Sequence, residues 1–324
     1  MEGGARVVSE RQEDDRGRLK RRALSFSLTV VAAALVIGSL PLTLPLIALV
    51  DLVRRRRFAW TRALLMVAWI LVGECWGLLV LFGLWLVKPL LGRERFAAGN
   101  YAVQAAWVRS LLAGVRALQS MALEVRGAEA ARRGPFLILA RHVSTADTLL
   151  PITAITAPFG LRPRYVLKAE LRWDPCLDLV GHRVPNAFVR RGAGAREVER
   201  SAALAEGLGP RDVVVVYPEG TRFTRRAQAR RLAELEGRDD PLLAQARALR
   251  HTLPPRSGGV LGILQRAPGL DLVFLAHVGL EGARDVGDLL AGRLIGQRIE
   301  VEIRRVPAAE IPADDEGRRR WLFE

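Results

Sequence analysis

The sequence of 324 residues is poor in cysteine and lysine. Two cysteines cannot build a disulfide framework or a cysteine-rich zinc site, which excludes the small secreted scaffolds and zinc-finger classes. The 49 basic residues are almost all arginine, since the lysines are only Lys20, Lys88 and Lys168. No Gly-x-Ser-x-Gly elbow and no P-loop occurs, which argues against the serine hydrolases and the P-loop nucleotidases.

What the sequence does contain is an unusual pairing of apolar character with positive charge. Half of the residues are hydrophobic, yet the formal net charge is +15. A basic and apolar chain is typical of a protein with an anionic partner, either a lipid surface or a nucleic acid. The arginine runs lack the interleaved aromatic residues that single-stranded nucleic acids stack on, so we expect membrane lipids as partners and no nucleic acid.

Two apolar runs dominate the amino-terminal third. Residues 1–23 form a polar lead-in that ends in a basic cluster, and the runs at 24–50 and 63–91 follow. Each run exceeds the roughly 20 residues that cross a bilayer as a helix. We therefore predict a helical membrane anchor over 24–95 and a separate domain over 96–324.

The charges around the two runs bear on how the anchor enters the membrane. Four consecutive arginines, Arg54 to Arg57, separate the runs, and basic segments prefer the cytoplasmic side. Pro41 and Pro45 offer a turning point inside the first run, because proline breaks a helix interior. Glu74 lies within the second run, and a carboxylate in the middle of a membrane is energetically costly, so a simple crossing by this run is also in question. We favour a hairpin that dips into one leaflet, and two ordinary crossings are the alternative.

From about residue 122 short apolar strands alternate with helical stretches. An amphipathic helix is predicted over 100–123, and residues 225–250 are predicted to form two short exposed helices. Strands that alternate with helices predict an α/β fold with a mixed sheet covered by helices. The predicted strands are Phe136 to Ala140, Tyr165 to Leu167, Ala187 to Val189, Val213 to Tyr217, Leu272 to Ala276 and Ile299 to Ile303.

The first candidate for chemistry directly follows a predicted strand. His142 and Asp147 are five residues apart, and they can meet if His142 lies on the loop and Asp147 in the first helical turn. A carboxylate partner raises the basicity of an imidazole and fixes its tautomer. The alternative is purely structural, because Ser144 and Asp147 also fit a capping box.

The second candidate is a loop at the end of a buried strand. The run Val213 to Tyr217 leads into Pro218, which is followed by Glu219, Gly220, Thr221 and Arg222. Ligands bind at strand ends in open α/β sheets, and the planar guanidinium of arginine suits phosphate oxygens. The alternative is a simple turn in which Glu219 and Arg222 pair with each other.

Together these two motifs resemble the glycerolipid acyltransferases of the 1-acylglycerol-3-phosphate acyltransferase type. That family is marked by a histidine followed by four residues and an aspartate, and downstream by Pro-Glu-Gly-Thr-Arg. The resemblance covers roughly residues 120 to 310. An intermediate block is similar to Lys168 through Pro175 and then Gly181 through Arg191.

The resemblance implies a membrane-bound enzyme with a His142 and Asp147 catalytic pair, in which His142 takes a proton from the acceptor hydroxyl. Backbone amides after His142 would stabilise the oxyanion. Substrate binding would fall to Lys168, Arg191, Glu219, Gly220, Thr221 and Arg222. Glu219 would position the glycerol portion, while Lys168, Arg191 and Arg222 would hold the phosphate.

The implied substrates are a lysophospholipid acceptor, such as lysophosphatidate, and a thioester of coenzyme A or acyl carrier protein. No metal or redox cofactor is implied, and His182, His251 and His277 are interpreted as surface or core residues. A cytosolic thioester places the catalytic domain on the cytoplasmic side. The alternatives are a lipid hydrolase or transacylase that uses the same pair, and a non-catalytic lipid-binding membrane protein. The sequence sets neither the acceptor headgroup nor the oligomeric state.

Overall fold

A computed structural model of the chain describes residues 15–190 and 194–324. Short 3-10 turns and a π-helical segment, Pro151–Thr156, join its helices and strands. The helices are α1 Asp15–Val53, α2 Ala59–Leu86, α3 Lys88–Gln119, α4 Pro175–Arg183, α5 Ala195–Ala202, α6 Arg225–Glu236, α7 Leu243–Ala248, α8 Ser257–Arg266, α9 Val286–Leu290 and α10 Asp315–Trp321. The strands are β1 Ala122–Arg126, β2 Phe136–Ala140, β3 Arg162–Lys168, β4 Ala187–Val189, β5 Asp212–Val216, β6 Asp271–Val278 and β7 Arg298–Val306.

All seven strands form one sheet in the order β1-β7-β6-β2-β5-β3-β4. The strands from β6 to β4 are mutually parallel, whereas β7 runs antiparallel to β6, and β1 is parallel to β7. β2 and β5 occupy the middle because their aliphatic side chains are buried on both faces. The mixed α/β sheet predicted from the sequence is confirmed.

Helices cover both faces of this sheet. On one face, Ile138 of β2 packs in a core cluster with Leu111 of α3. On the other face, Leu139 packs with Ile263 of α8 in a second cluster. Alternate residues of a strand point to opposite faces, so neighbouring residues of β2 belong to the two different clusters.

The two apolar runs are long helices, and each is long and apolar enough to cross a membrane. Our prediction that the first run reverses near Pro41 and Pro45 is wrong, because α1 continues through both prolines to Val53. The chain reverses instead over residues 54–58, within the arginine run. Most side chains of α1 are exposed, and they form a broad apolar surface.

α2 lies along α3, which joins the anchor helices to the sheet. The indole N–H of Trp69 donates to the Ser110 carbonyl at 3.1 Å, and the ring rests directly on Gly114, where any Cβ would clash. Glu74 is buried and faces α4, where the Cys176 amide lies 3.4 Å from its carboxylate. Glu74 therefore faces the protein and not the lipid.

The start of α1 and the start of α2 both contact the α/β part of the chain. At the start of α1, Arg21 and Arg22 pair with the buried carboxylate of Asp178 at 2.9 and 2.5 Å. At the start of α2, Ala59 packs closely against Gly292. α1 therefore lies along the sheet domain. Of the predicted lead-in, residues 1–14 lie outside the described residues, and residues 15–23 are the first turns of α1.

Candidate active site

The candidate residues meet where β2 and β5 end. These strands are parallel neighbours in the middle of the sheet, so the loops that leave them meet at one edge. His142 follows β2, and Glu219 follows β5. The two sequence motifs therefore form one site.

His142 and Asp147 form the predicted pair. The imidazole Nδ1 lies 2.8 Å from Asp147 Oδ1, and the Asp147 side chain is fully buried while His142 is 15% exposed. The Tyr217 ring packs against the imidazole with 4.9 Å between ring centroids. A carboxylate at Nδ1 fixes the proton there, which leaves the lone pair on Nε2.

The Asp147 carboxylate is held by backbone as well as by imidazole. Its Oδ2 accepts the amides of Val143 at 2.6 Å and Ser144 at 2.7 Å, while Ser144 Oγ accepts the Asp147 amide at 3.2 Å. The capping-box geometry is thus present together with the His-Asp pair, so the two readings are compatible. Burial raises the pKa of Asp147, but hydrogen bonds from His142, His277 and Ser144 outweigh it, and the pKa is lowered.

His277 is a member of this site that the sequence did not reveal. Its side chain is fully buried, and Nε2 lies 3.2 Å from the Arg141 carbonyl and 3.6 Å from Asp147 Oδ2. Both neighbours are acceptors, which places the proton on Nε2. The pairing of Ala140 with Leu275 brings His277, two residues further along β6, beside the loop that carries His142. Asp147 therefore lies between two imidazoles.

We expect a small effect on turnover when His277 loses its donor. His277→Leu removes the N–H that lies 3.6 Å from Asp147 Oδ2 and should lower kcat on the order of fivefold, because an N–H at this distance stabilises a carboxylate only weakly. His277→Gln restores an N–H near the same position and should recover part of the loss. Steady-state kinetics with KM measured separately would check this. Equal kcat in both variants and the parent would contradict a link between His277 and Asp147.

The Pro-Glu-Gly-Thr-Arg loop is bonded to both main-chain groups of His142. Glu219 Oε1 accepts the His142 amide at 2.9 Å, and the Phe223 amide donates to the His142 carbonyl at 2.8 Å. Glu219 Oε2 accepts the Leu253 amide at 2.8 Å. Glu219 is buried, and burial raises its pKa. In this structure Glu219 holds the backbone of the site, and its predicted contact with the acceptor stays a prediction.

The rest of this loop turns the chain towards the opening of the site. Gly220 has a positive φ of 66°, and its amide closes a turn onto the Tyr217 carbonyl. Thr221 follows, half-buried. The guanidinium of Arg222 is exposed and donates to the Arg284 carbonyl at 2.7 Å and to Thr145 Oγ1 at 3.3 Å. Arg222 therefore lies beside the His142 loop and does not pair with Glu219.

Lys168 and Arg191 are the other two residues predicted to hold the phosphate, and only Lys168 lies within the described residues. Lys168 ends β3, the neighbour of β5, so it lies at the same edge of the sheet. Its ammonium is 3.4 Å from Glu170 and is 41% exposed. Arg191 lies outside the described residues. The structure thus brings Lys168 and Arg222 to one edge and does not address Arg191.

Comparison with known proteins places this site in a family. Residues 122–265 match the family model for acyltransferases. The chain is 32% identical over 106 residues to a lyso-ornithine lipid O-acyltransferase of Pseudomonas aeruginosa, covering 33% of this chain and 38% of that protein. It is 29% identical over 149 residues to a 1-acyl-sn-glycerol-3-phosphate acyltransferase of the same organism, covering 46% and 53%. These matches support the glycerolipid acyltransferase family for residues 122–265, the part of the chain that carries both motifs.

A solved structure has a similar fold. The 1-acyl-sn-glycerophosphate acyltransferase PlsC from Thermotoga maritima superposes with a TM-score of 0.54 at 16% identity, covering 82% of this chain and 92% of the other. That likeness shows a shared fold. The chain spans between 38% and 53% of the length of the two Pseudomonas relatives.

Proposed function

We propose that this protein transfers a fatty acyl group from a thioester to the free hydroxyl of lysophosphatidate or a related lysophospholipid. The observation that carries the proposal is the hydrogen bonding of the two ring nitrogens of His142. Its Nδ1 is bound to a buried carboxylate, and among the described residues no protein atom hydrogen-bonds to Nε2. An imidazole held in this way at an open strand end is suited to act as a general base.

In the proposed reaction His142 Nε2 removes the proton as the acceptor hydroxyl attacks the thioester carbonyl. The carbon–oxygen bond forms, and the tetrahedral intermediate then expels the thiolate, which receives the proton from the imidazolium. Asp147 stabilises the imidazolium between these steps. The thioester, on coenzyme A or acyl carrier protein, is the co-substrate, and the scheme uses no metal or redox cofactor.

The donors for the oxyanion must come from somewhere other than the first two amides after His142. We expected amides in this segment, but those of Val143 and Ser144 already donate to Asp147. Each amide carries a single proton, so neither is free for a developing oxyanion.

Arg222 is proposed to bind the acceptor phosphate together with Lys168 and Arg191. We expect Arg222→Lys to raise KM for lysophosphatidate roughly tenfold, because an ammonium cannot reproduce the paired hydrogen bonds of a guanidinium. Arg225→Lys, a neighbouring exposed arginine, is the matched control and should behave like the parent protein. Initial rates over a range of acceptor concentrations would measure this. An unchanged KM in Arg222→Lys would remove Arg222 from the phosphate site.

The proposed function is tested by following products from labelled acyl-CoA and acyl carrier protein thioesters over a panel of acceptors. The panel includes lysophosphatidate and lyso-ornithine lipid, because each of these lipids is the acceptor in the name of one of the two Pseudomonas relatives. A diacylated product that depends on His142 supports the proposal. Release of free fatty acid alone indicates a hydrolase, and acyl exchange between lipids without a thioester indicates a transacylase. The absence of any turnover indicates a non-catalytic lipid-binding protein.

The apolar surface of α1 and α2 indicates a membrane protein. We propose that both helices lie in one leaflet with the catalytic domain on the cytoplasmic side. The contacts of the domain with the start of α1 and with the start of α2 support this, because a crossing helix would carry Arg54 to Arg57 about 30 Å away through hydrocarbon. The side of the membrane follows from the cytosolic thioester.

Thiol labelling tests this arrangement. Arg57→Cys, in a background without Cys75 and Cys176, should react with an impermeant maleimide only after the cells are permeabilised. A cysteine in an engineered external loop of a known membrane protein is the positive control for labelling from outside. Labelling of the Arg57 position on intact cells would establish two crossings in place of the one-leaflet arrangement.

A further inference from the structure

The turn between α1 and α2 concentrates positive charge next to the apolar surface. Arg54 to Arg57 are all exposed, and both flanking helices expose large aliphatic side chains, to which α2 adds exposed aromatic rings. Arg54 and Arg56 lie over the Trp60 ring, with 5.2 and 5.6 Å from the guanidinium carbon to the ring centroid. Stacking of this kind restricts a guanidinium that would otherwise move freely in solvent.

This turn and the catalytic domain border an open depression of about 350 Å³, which we call the arginine cavity. The Arg57 guanidinium lies beside Gly296, and Ala59 closes against Gly292 at the base of the turn. The cavity is lined by Arg55, Arg56, Arg57, Ala291, Gly292 and Ile295. Three arginines thus line one open space.

No carboxylate neutralises these three arginines within residues 15–190 and 194–324. Other arginines near both ends of α1 do have partners there: Arg21 pairs with Asp178, and Arg293 pairs with Asp288 at 2.6 Å. The nearby carboxylate of Asp51 is buried and accepts the amide and hydroxyl of Thr61 at the start of α2. Like charges gathered without a counter-charge repel one another and favour a bound anion.

The position of the arginine cavity selects the anion. Residues 279–297 connect β6 to β7 and therefore lie at the same sheet edge as His142. The cavity and the Arg222 site share no residue, because Arg222 contacts Arg284 and Thr145, whereas the cavity is lined by the turn before α2 and by Ala291, Gly292 and Ile295. With the apolar faces of α1 and α2 in one leaflet, the arginines lie at the level of the lipid headgroups, where phosphate is the abundant anion.

We propose that the arginine cavity binds the phosphate-bearing headgroup of an anionic bilayer phospholipid that is neither acceptor nor product. This second lipid holds the turn at the membrane surface, and it keeps the His142 edge facing the leaflet that contains the acceptor. The inference rests on the membrane placement in the proposed function, and it does not depend on the acyl transfer chemistry.

Vesicle binding by the full-length chain tests the proposal. The probe is phosphatidylcholine vesicles with and without phosphatidylglycerol, which has no role in the proposed reaction. Ala291→Asp introduces a carboxylate into the cavity, and we expect the preference for phosphatidylglycerol to fall about fivefold for one neutralised guanidinium. Ala291→Asn has the same shape without the charge and is expected to keep the preference.

A second variant separates a built site from general attraction. Replacing Arg55, Arg56 and Arg57 together with lysine keeps the charge and removes the guanidinium geometry, and the exposed turn should tolerate it. A headgroup site predicts a reduced preference in this variant, and diffuse attraction predicts none. An unchanged preference in the lysine variant, or equal preference in Ala291→Asp and Ala291→Asn, would overturn the proposal.

The source of the phosphate is tested in the same assay. Millimolar inorganic phosphate should leave the preference for phosphatidylglycerol unchanged if the headgroup is held at the membrane surface, and its abolition by phosphate would overturn a lipid site. Because vesicle binding requires no turnover, a parent protein without acyl transfer activity would contradict the proposed function alone.

Discussion

His142→Ala is expected to reduce acyl transfer by about 10²- to 10⁴-fold, the range that a positioned general base supplies. His142 Nε2 is the only part of the His-Asp pair that faces the opening, since Nδ1 and both Asp147 oxygens are occupied within the site. The imidazole is partly exposed, so its removal should leave the fold intact. Product formation from labelled thioester, with circular dichroism of both proteins, would measure this.

Two neighbouring variants serve as controls for His142→Ala. Asp147→Asn should also lose most activity, because an amide cannot accept from His142 and from two backbone amides as the carboxylate does. Ser144→Ala removes only the hydroxyl that accepts the Asp147 amide and should cost about 1 kcal/mol of stability while retaining turnover. Near-normal turnover in His142→Ala would show that another group is the base.

Glu219→Gln is expected to lower kcat on the order of 100-fold with little change in KM for the acceptor. The two carboxylate oxygens accept amides from His142 and Leu253, and a glutamine turns one of these acceptors into a donor. A buried amide without a partner is destabilising by about 1–3 kcal/mol, and a displacement of His142 by 1 Å is enough to cause such a loss in rate.

The same variant distinguishes the structural role of Glu219 from acceptor binding. If Glu219 positions the glycerol portion directly, Glu219→Gln should raise KM and leave the melting temperature unchanged. If it holds the loop, kcat and the melting temperature fall together. The control is Glu234→Gln, because Glu234 lies on α6 and pairs only with exposed or half-buried arginines.

The sequence predicted the central strands well because burial on both faces demands continuous aliphatic runs. β2 and β5 are such runs, and their ends match the predicted ends within one residue. β1 was missed because Ala122–Arg126 lies at the edge of the sheet and none of its residues is buried. An edge strand of mixed polarity has no distinctive pattern.

The reversal near Pro41 was wrongly predicted because the prediction used the helix-breaking effect that proline has in water-soluble proteins. In an apolar helix the hydroxyls of Ser39 and Thr43 donate to carbonyls of the preceding turn, at 3.0 Å each. Such bonds help a helix in lipid to continue through proline, because unfolding the turn would expose more unpaired backbone groups.

The chemistry of the site was predictable in part, and the limit is strand order. His142 and Asp147 are close in sequence, so their contact follows from one turn of chain. The approach of His277 to Asp147, and of Glu219 to the His142 amide, depends on β6 and β5 lying on either side of β2. Local sequence does not contain that information.

The contacts at the start of α1 and at the start of α2 constrain the number of residues between them. Each residue added to an α-helix advances it by 1.5 Å and rotates it by about 100°, so a single insertion would turn Arg21 and Arg22 away from Asp178 or lift Ala59 from Gly292. Substitution of one apolar residue by another along the exposed face changes neither contact. The segment between the two contacts is therefore permissive in composition and intolerant of insertions and deletions.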